Sequence, residues 1–383
     1  MKKIILLFSS ISLVSLSCST ITSCNSNTQP YSNNEVEDNQ ISYYSLSIGN
    51  GLFSYLKVGS KAILFDAGIG LSKDAEWKGL KHKGNEFATN FMKWTGVESI
   101  EAIFISHNHS DHYGNLDTVT KNFDVANIVL PFNGEKLKSR FVTDKSKSTY
   151  DNEIIYVSNN TNLWNFSDKY SFLSIDFYNW SYSEADYMKK LSFKDENNAS
   201  SIIYFKVNNK SILLPGDAEQ GLGDRLVNNK VLQFTNVNIY QVAHHGSKNS
   251  LGKNFVDKIN PNFCYVSGTN GDNIDYREWG GDHIFPTSKS NENTASCDET
   301  YLTGKVLSNT NSDKQDGEIN VNAEFAKEAD YLHENASYEF RFTKDGTISK
   351  YYFDNTVANP GFLKEINSDK PNYNEYVSNH KLK

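Results

Sequence analysis

Short apolar runs separated by tight turns open the folded part of the chain. Residues 43–48 and 52–58 read as strands joined through Gly49-Asn50-Gly51, and Gly59-Ser60-Lys61 turns again into an apolar run over 62–65. Residues 86–94 carry a helical pattern, 103–105 an apolar strand, 116–121 the start of a helix and 127–131 a short buried strand. The 164–180 stretch alternates aromatic and polar positions, as sheet strands do. Residues 201–207 and 211–214 pair as a hairpin around Asn208-Asn209-Lys210, and further strands are expected over 237–243, 261–267, 317–321 and 338–353. Strands interleaved with helical patterns over this length predict an α/β fold.

The two ends read differently. Lys2 and Lys3 precede an apolar run from Ile4 to Leu16, then small polar residues up to Cys24, the layout of an export signal over residues 1–23. The run is too short and too soon interrupted to span a membrane as a helix. Ile21-Thr22-Ser23-Cys24 resembles a bacterial lipobox, which implies a mature chain that starts at a lipidated Cys24 on the outer face of the cell membrane. Ordinary secretion is the alternative. Residues 24–40 are polar and suit a flexible tether. The folded unit is expected over 41–356, with a loose polar tail over 357–383.

Composition narrows the class without choosing a substrate. Of 383 residues, 38% are hydrophobic and 13% aromatic, enough for a sizeable core. The formal charge of −8, from 38 Lys+Arg against 46 Asp+Glu, argues against a surface that coats nucleic acid broadly. A local exception is the segment holding Lys136, Lys138 and Arg140, which either meets an anionic substrate or is a solvated face. Cys264 lies in an apolar run and reads as a buried thiol, although export would permit a bond to Cys297.

The chemistry concentrates after the 103–105 run. His107, His109, Asp111 and His112 fall within IFISHNHSDHYG, and imidazole with carboxylate suits zinc or a similar divalent ion. His107 and His109 can hold one ion while Asp111 and His112 hold a second. Asp217 follows Gly216 at the end of a second apolar run, and His244-His245-Gly246-Ser247 ends a third. His283 precedes Ile284-Phe285-Pro286 and is a candidate for substrate contact or proton transfer.

The H-x-H-x-D-H run after an apolar strand resembles the signature of metallo-β-lactamase-fold hydrolases. That resemblance implies a four-layer αβ/βα sandwich holding two divalent ions, zinc first and manganese second. It also implies that Asp66 supports the metal loop, that Asp217 bridges the ions, and that one of the adjacent histidines completes the second ion's shell. His244 is the choice, with His245 as the alternative or as its support. The order of motifs further resembles the hydrolase domain of ComEC-type competence proteins and, in SHNHSDHYGNLD and NNASS, surface choline-phosphate esterases. No isolated histidine lies between Asp117 and Asp217 to supply a third histidine to the first ion.

The resemblance implies hydrolysis of a phosphate ester by metal-activated water, with nucleic acid or a phosphorylated surface component as substrate. Asp111 and His283 are then the residues expected to act at the reacting centre, with Ser247, Lys136, Lys138 and Arg140 near the substrate. Alternatives are choline-phosphate esterase, lactamase-like or thioester hydrolase, or a non-catalytic binding lipoprotein. No protein partner can be inferred.

Overall fold

The computed structural model describes residues 41–49, 51–70, 84–130, 154–156, 170, 172–178, 196–246, 250–267, 283–287, 294–303, 336–343, 345–354, 360–366, 368 and 373–382. The expected export signal and tether, Cys24, Lys136, Lys138, Arg140, Ser247 and the 317–321 run lie outside the described residues.

Two sheets stack face to face. In the first, β1 (Ile41–Ser45), β2 (Phe53–Val58) and β3 (Lys61–Ala67) form the expected antiparallel meander. β3 then pairs in parallel with β4 (Ser99–Phe104), which pairs in parallel with β5 (Asp124–Val125) and with β6 (Ile128–Leu130), the latter bearing β7 (Ile154–Tyr156). The second sheet is built on the hairpin of β9 (Ile203–Val207) and β10 (Lys210–Leu214), with β8 (Leu173–Phe177) beyond β9. From β10 it continues in parallel through β11 (Ile239–Gln241) and β12 (Phe263–Val266) to β15 (Glu299–Leu302). A separate pair joins β13 (His283–Thr287) to β14 (Thr294–Ser296). The closing hairpin of β16 (Ala336–Phe342) and β17 (Ile348–Asp354) returns to the first sheet beside β1.

Alternation along each strand sorts the core into three layers. Tyr43, Ile63, Phe65, Phe104, Ile203, Phe205, Ile212 and Tyr265 fill the space between the sheets. Their neighbours Tyr44, Leu64, Ile103 and Phe353 face outward, under α1 (Gly84–Trp94) and α3 (Leu116–Asn122). On the far side, Tyr204, Leu213 and Tyr240 lie under α4 (Gln220–Asn228) and α5 (Lys253–Ile259). Helix, sheet, sheet, helix is the four-layer α/β sandwich expected. It explains why the strands are apolar on both faces.

Two expectations need correction. The polar stretch after 357 is not a loose tail: α6 (Pro360–Ile366) and α7 (Tyr373–Asn379) seal the outer face of the first sheet. Phe362, Ile366, Tyr376 and Val377 are buried there, so a few well-spaced apolar residues dock a segment whose average composition is polar. Tyr373 Oη also donates to buried Glu339 at 2.6 Å. Second, Cys264 is not a free thiol. It is bonded to Cys297, 33 residues on, with the Cα atoms 6.2 Å apart.

Candidate metal centre

The centre lies at the carboxyl ends of β3, β4, β10 and β11, where α/β sheets place ligands. Asp66 supplies its first support. The pairing of β2 with β3 slips at this point, and Asp66 takes φ +60° inside the strand. This bulge turns a buried carboxylate across the sheet edge. Its Oδ1 accepts from the Ser106 backbone N–H at 2.6 Å, and its Oδ2 accepts from Ser106 Oγ at 2.8 Å. Oδ2 also lies 2.7 Å from His112 Nδ1. Asp66 therefore orients the loop after β4, the role expected of it.

That loop is pinned from below. Leu52 N–H donates to the Asp111 carbonyl at 2.9 Å, and Asn115 N–H donates to the Ala67 carbonyl at 2.8 Å. The short helix α2 (Ser110–Tyr113) sits so close to the β3 end that a Cβ on Gly68 would meet the Asp111 carbonyl oxygen at 1.6 Å. Only glycine fits there. Gly216 serves the facing turn. It holds φ +58°, and a Cβ on it would lie 2.8 Å from Ser106 Cβ. The Asp217 N–H then donates to Ser200 Oγ at 3.0 Å, which fixes the carboxylate beneath the histidines.

Two donor groups result. Asp111, His112, Asp217 and His245 offer ligand atoms all within 4.8 Å of one another, and so do His107, His109 and Asp217. Asp217 is common to both. His112 Nε2 stands 3.1 Å from Asp217 Oδ1. His107 Nε2 and His245 Nε2 stand 3.7 and 3.6 Å from Asp217 Oδ2, and His245 Nε2 is 3.4 Å from Asp111 Oδ2.

The hydrogen bonds behind the rings show what the site is built to hold. His245 Nδ1 donates to the Ser267 carbonyl at 2.6 Å, and His112 Nδ1 donates to Asp66. Ser106 Oγ spends its hydrogen on Asp66, so it accepts from His107 Nδ1 at 3.1 Å. With Nδ1 engaged in this way, each ring turns its Nε2 towards carboxylate oxygens. His112 Nε2, His245 Nε2 and Asp217 Oδ1 are buried and make no hydrogen bond of good geometry. Imidazole nitrogens facing carboxylate oxygens across so short a space suit a positive charge between them, a proton or a metal ion. The nitrogen and oxygen donors fit divalent ions, each outer nitrogen held by a carboxylate, hydroxyl or carbonyl.

The electrostatics agree. Burial alone would lower the basicity of His112, but Asp217 and Asp66 outweigh it and hold the ring well above the usual histidine range. Burial likewise opposes a raised pKa at His245, and Asp217 and Asp111 overcome it. Asp217 would be pushed up by burial, yet His112 and His245 carry it well below the carboxylate range. His107 goes the other way, because burial and the neighbouring His112 disfavour its charged form. The carboxylates favour positive charge at their centre.

Of the histidine pair, His245 joins the four-residue group, whereas sequence favoured His244. Both residues take left-handed backbone, φ 49° and 53°, so the simple alternation of a strand does not apply to them. His244 lies on the more exposed side, its Nε2 3.8 Å from Asp217 Oδ2. β13 places the His283 backbone, and the side chain is outside the described residues. Sequence reading missed Ser106, Ser200 and Ser267, and it missed Glu219, whose carboxylate accepts from Asn197 Nδ2 at 3.0 Å and Asn198 Nδ2 at 3.2 Å. Glu219 stands two residues after Asp217, a spacing that could have flagged it.

Residues 49–151 match the family described as Metallo-beta-lactamase superfamily, and the chain carries a domain of that superfamily and its fold. Among curated proteins, it is 24% identical over 213 residues to ComE operon protein 3 of Bacillus subtilis (strain 168), covering 54% of this chain and 25% of that protein. It is 21% identical over 274 residues to Recombination protein 2 of Haemophilus influenzae, covering 70% of this chain and 29% of that protein. The chain thus spans under a third of the length of these curated relatives. Among solved structures, CmlA, a diiron beta-hydroxylase from Streptomyces venezuelae, is similar with TM-score 0.38 and 12% identity, over 59% of this chain and 44% of that one.

Proposed function

We propose that the protein is a metal-dependent phosphodiesterase that uses two divalent ions, zinc or manganese, held by these two groups. The observation that carries the reading is Asp217, a buried carboxylate common to two donor groups whose ring nitrogens face it. Two ions so placed would supply Lewis acidity and lower the pKa of water towards neutrality. Asp217 and Asp66 hold the histidine rings in position. Asp111 is half-buried, and its carboxylate is placed to orient an attacking water. Phosphate esters suit such a centre, because the charge that develops on phosphoryl oxygens needs the most neutralisation. Nucleic acid is the favoured substrate class: the similar Haemophilus protein is named Recombination protein 2.

We further propose that the chain is exported and held at the outer face of the membrane through lipid on Cys24. The Cys264–Cys297 bond supports this reading, because such bonds persist in oxidising compartments. Labelling with a radioactive fatty acid should mark the wild type and not Cys24→Ala; unchanged labelling of the variant would refute the anchor.

The function is tested on the purified soluble domain, loaded with zinc or manganese and assayed on bis-p-nitrophenyl phosphate, an oligonucleotide, a choline-phosphate ester, a thioester and a β-lactam. Metal-dependent cleavage of the first two, abolished by a chelator, supports the reading. Turnover confined to thioester or β-lactam would overturn it, and cleavage of the choline ester alone would keep the chemistry but change the substrate.

A further inference from the structure

Among the described residues, the group of His107, His109 and Asp217 is one donor short of four. Asp111, His112, Asp217 and His245 already provide four donors, the usual number around zinc, whereas His107, His109 and Asp217 provide three. The sequence holds no isolated histidine between Asp117 and Asp217 to fill the gap.

His244 has the attributes of the missing donor. Asp217 Oδ2 is ringed by three Nε2 atoms at nearly equal distance: His107 at 3.7 Å, His245 at 3.6 Å and His244 at 3.8 Å. The opposite nitrogen of each ring faces a hydrogen-bonding group. For His244 that group is Glu219, whose Oε1 lies 3.7 Å from Nδ1, beyond hydrogen-bond distance but within reach of a small rotation of the ring. Asn197 Nδ2 approaches the His244 Nε2 at 3.4 Å, and an amide N–H can only donate, so Nε2 presents a lone pair. Nδ1 then carries the ring hydrogen on the side of the Glu219 carboxylate, without a hydrogen bond to it in this arrangement. Carboxylate, imidazole and an inward lone pair in series is the arrangement that orients metal-binding histidines.

The backbone explains how neighbours can share one target. With both residues in left-handed conformation, the rings flank the same carboxylate oxygen. The His244 side chain keeps 20% exposure against 3% for His245, so it retains room to move. At a mutual spacing of 4.8 Å it stands outside both groups, and only the group lacking a fourth donor has a place for it.

We infer that His244 is the fourth donor of the His107–His109–Asp217 group, held by Glu219, so that the adjacent histidines divide between the two ions. This inference rests on the two-ion reading above.

The test is metal stoichiometry and affinity, by elemental analysis and calorimetry with Zn²⁺ on the soluble domain, alongside circular dichroism. His244→Asn is the main variant, because asparagine tolerates left-handed backbone. It should bind one ion tightly where the wild type binds two. His109→Ala should do the same, and combining it with His244→Asn should still leave one ion. Combining His244→Asn with His245→Ala should leave none. Glu219→Gln should weaken one ion by about 10- to 100-fold and leave the other unchanged. Two tight ions in His244→Asn, or one retained when both histidines are replaced, would overturn the assignment. A wild type that binds a single ion would instead sink the two-ion reading itself.

Discussion

In the group of Asp111, His112, Asp217 and His245, three of the four residues are buried, and both rings are locked from behind by Asp66 and by the Ser267 carbonyl. In the group of His107, His109 and Asp217, His109 is half-buried, and its Nδ1 faces His107 Nε2 at 3.0 Å. One group is rigid before any ion arrives. The other must move apart two ring nitrogens that now touch. Preformed geometry lowers the cost of binding, so the closed group should fill first and hold its ion more tightly. Each group has one half-buried member, Asp111 in the first and His109 in the second, so the contrast lies in how the rings are held and not in exposure alone.

The largest effect should come from the residue that both groups share. Asp217→Ala should remove both ions and reduce phosphodiesterase activity to background, because it deletes the carboxylate facing every inward nitrogen. Elemental analysis checks it. A variant that keeps one tight ion would show that the groups are independent, and the comparison would have to be redrawn.

Next in size is the asymmetry itself. Asp66→Ala leaves His112 without its carboxylate and Ser106 without an acceptor for Oγ, so it should weaken the tight ion by about 10- to 100-fold. His109→Ala should weaken only the loose one. Calorimetric titration with Zn²⁺ separates the two, and equal losses at both sites would mean that burial does not rank them.

The cross-link offers a third test. Cys264 lies in β12, three residues before Ser267, whose carbonyl holds His245. Cys264→Ser with Cys297→Ser should cost about 3–4 kcal/mol of stability for a closed loop of 33 residues, read from denaturant unfolding. Because His245 belongs to the closed group, the same change should loosen that ion and leave the open one unchanged.

The legible and the hidden parts divide along the same line. Ligands borne by contiguous sequence, His107 to His112, were legible because their spacing alone places them on one loop. The α/β class followed from apolar runs interleaved with helical patterns, and the four-layer sandwich from the resemblance that the motif carries. His245 was harder to choose, because period-two alternation fails when both residues take φ near +50°. Ser106 and Ser267 act through atoms that any serine or carbonyl offers, so nothing in their local sequence marks them, whereas Glu219 carries only its spacing from Asp217 as a signal. The C-terminal helices were missed because Phe362, Ile366, Tyr376 and Val377 are too sparse to raise the mean hydropathy of their segment. Tertiary contact decides such cases, and composition does not report it.

The smallest expected effect tests whether the two groups are coupled through the backbone as well as through Asp217. Gly216 brings the β10 end against the β4 loop, with a built Cβ 2.8 Å from Ser106 Cβ and 2.9 Å from its Oγ. Ser106 in turn contacts Asp66, His107 and His112, so it touches residues of both groups. Gly216→Ala must push these elements apart and hold alanine at φ +58°, which should destabilise the domain by about 1–3 kcal/mol. A displaced Ser106 disturbs His107 and His112 together, so both ions should weaken by similar factors, unlike the one-sided loss expected from Asp66→Ala. Denaturant unfolding reads the first effect and calorimetry the second. If only the looser ion responds, Ser106 does not link the groups, and Asp217 is their sole connection.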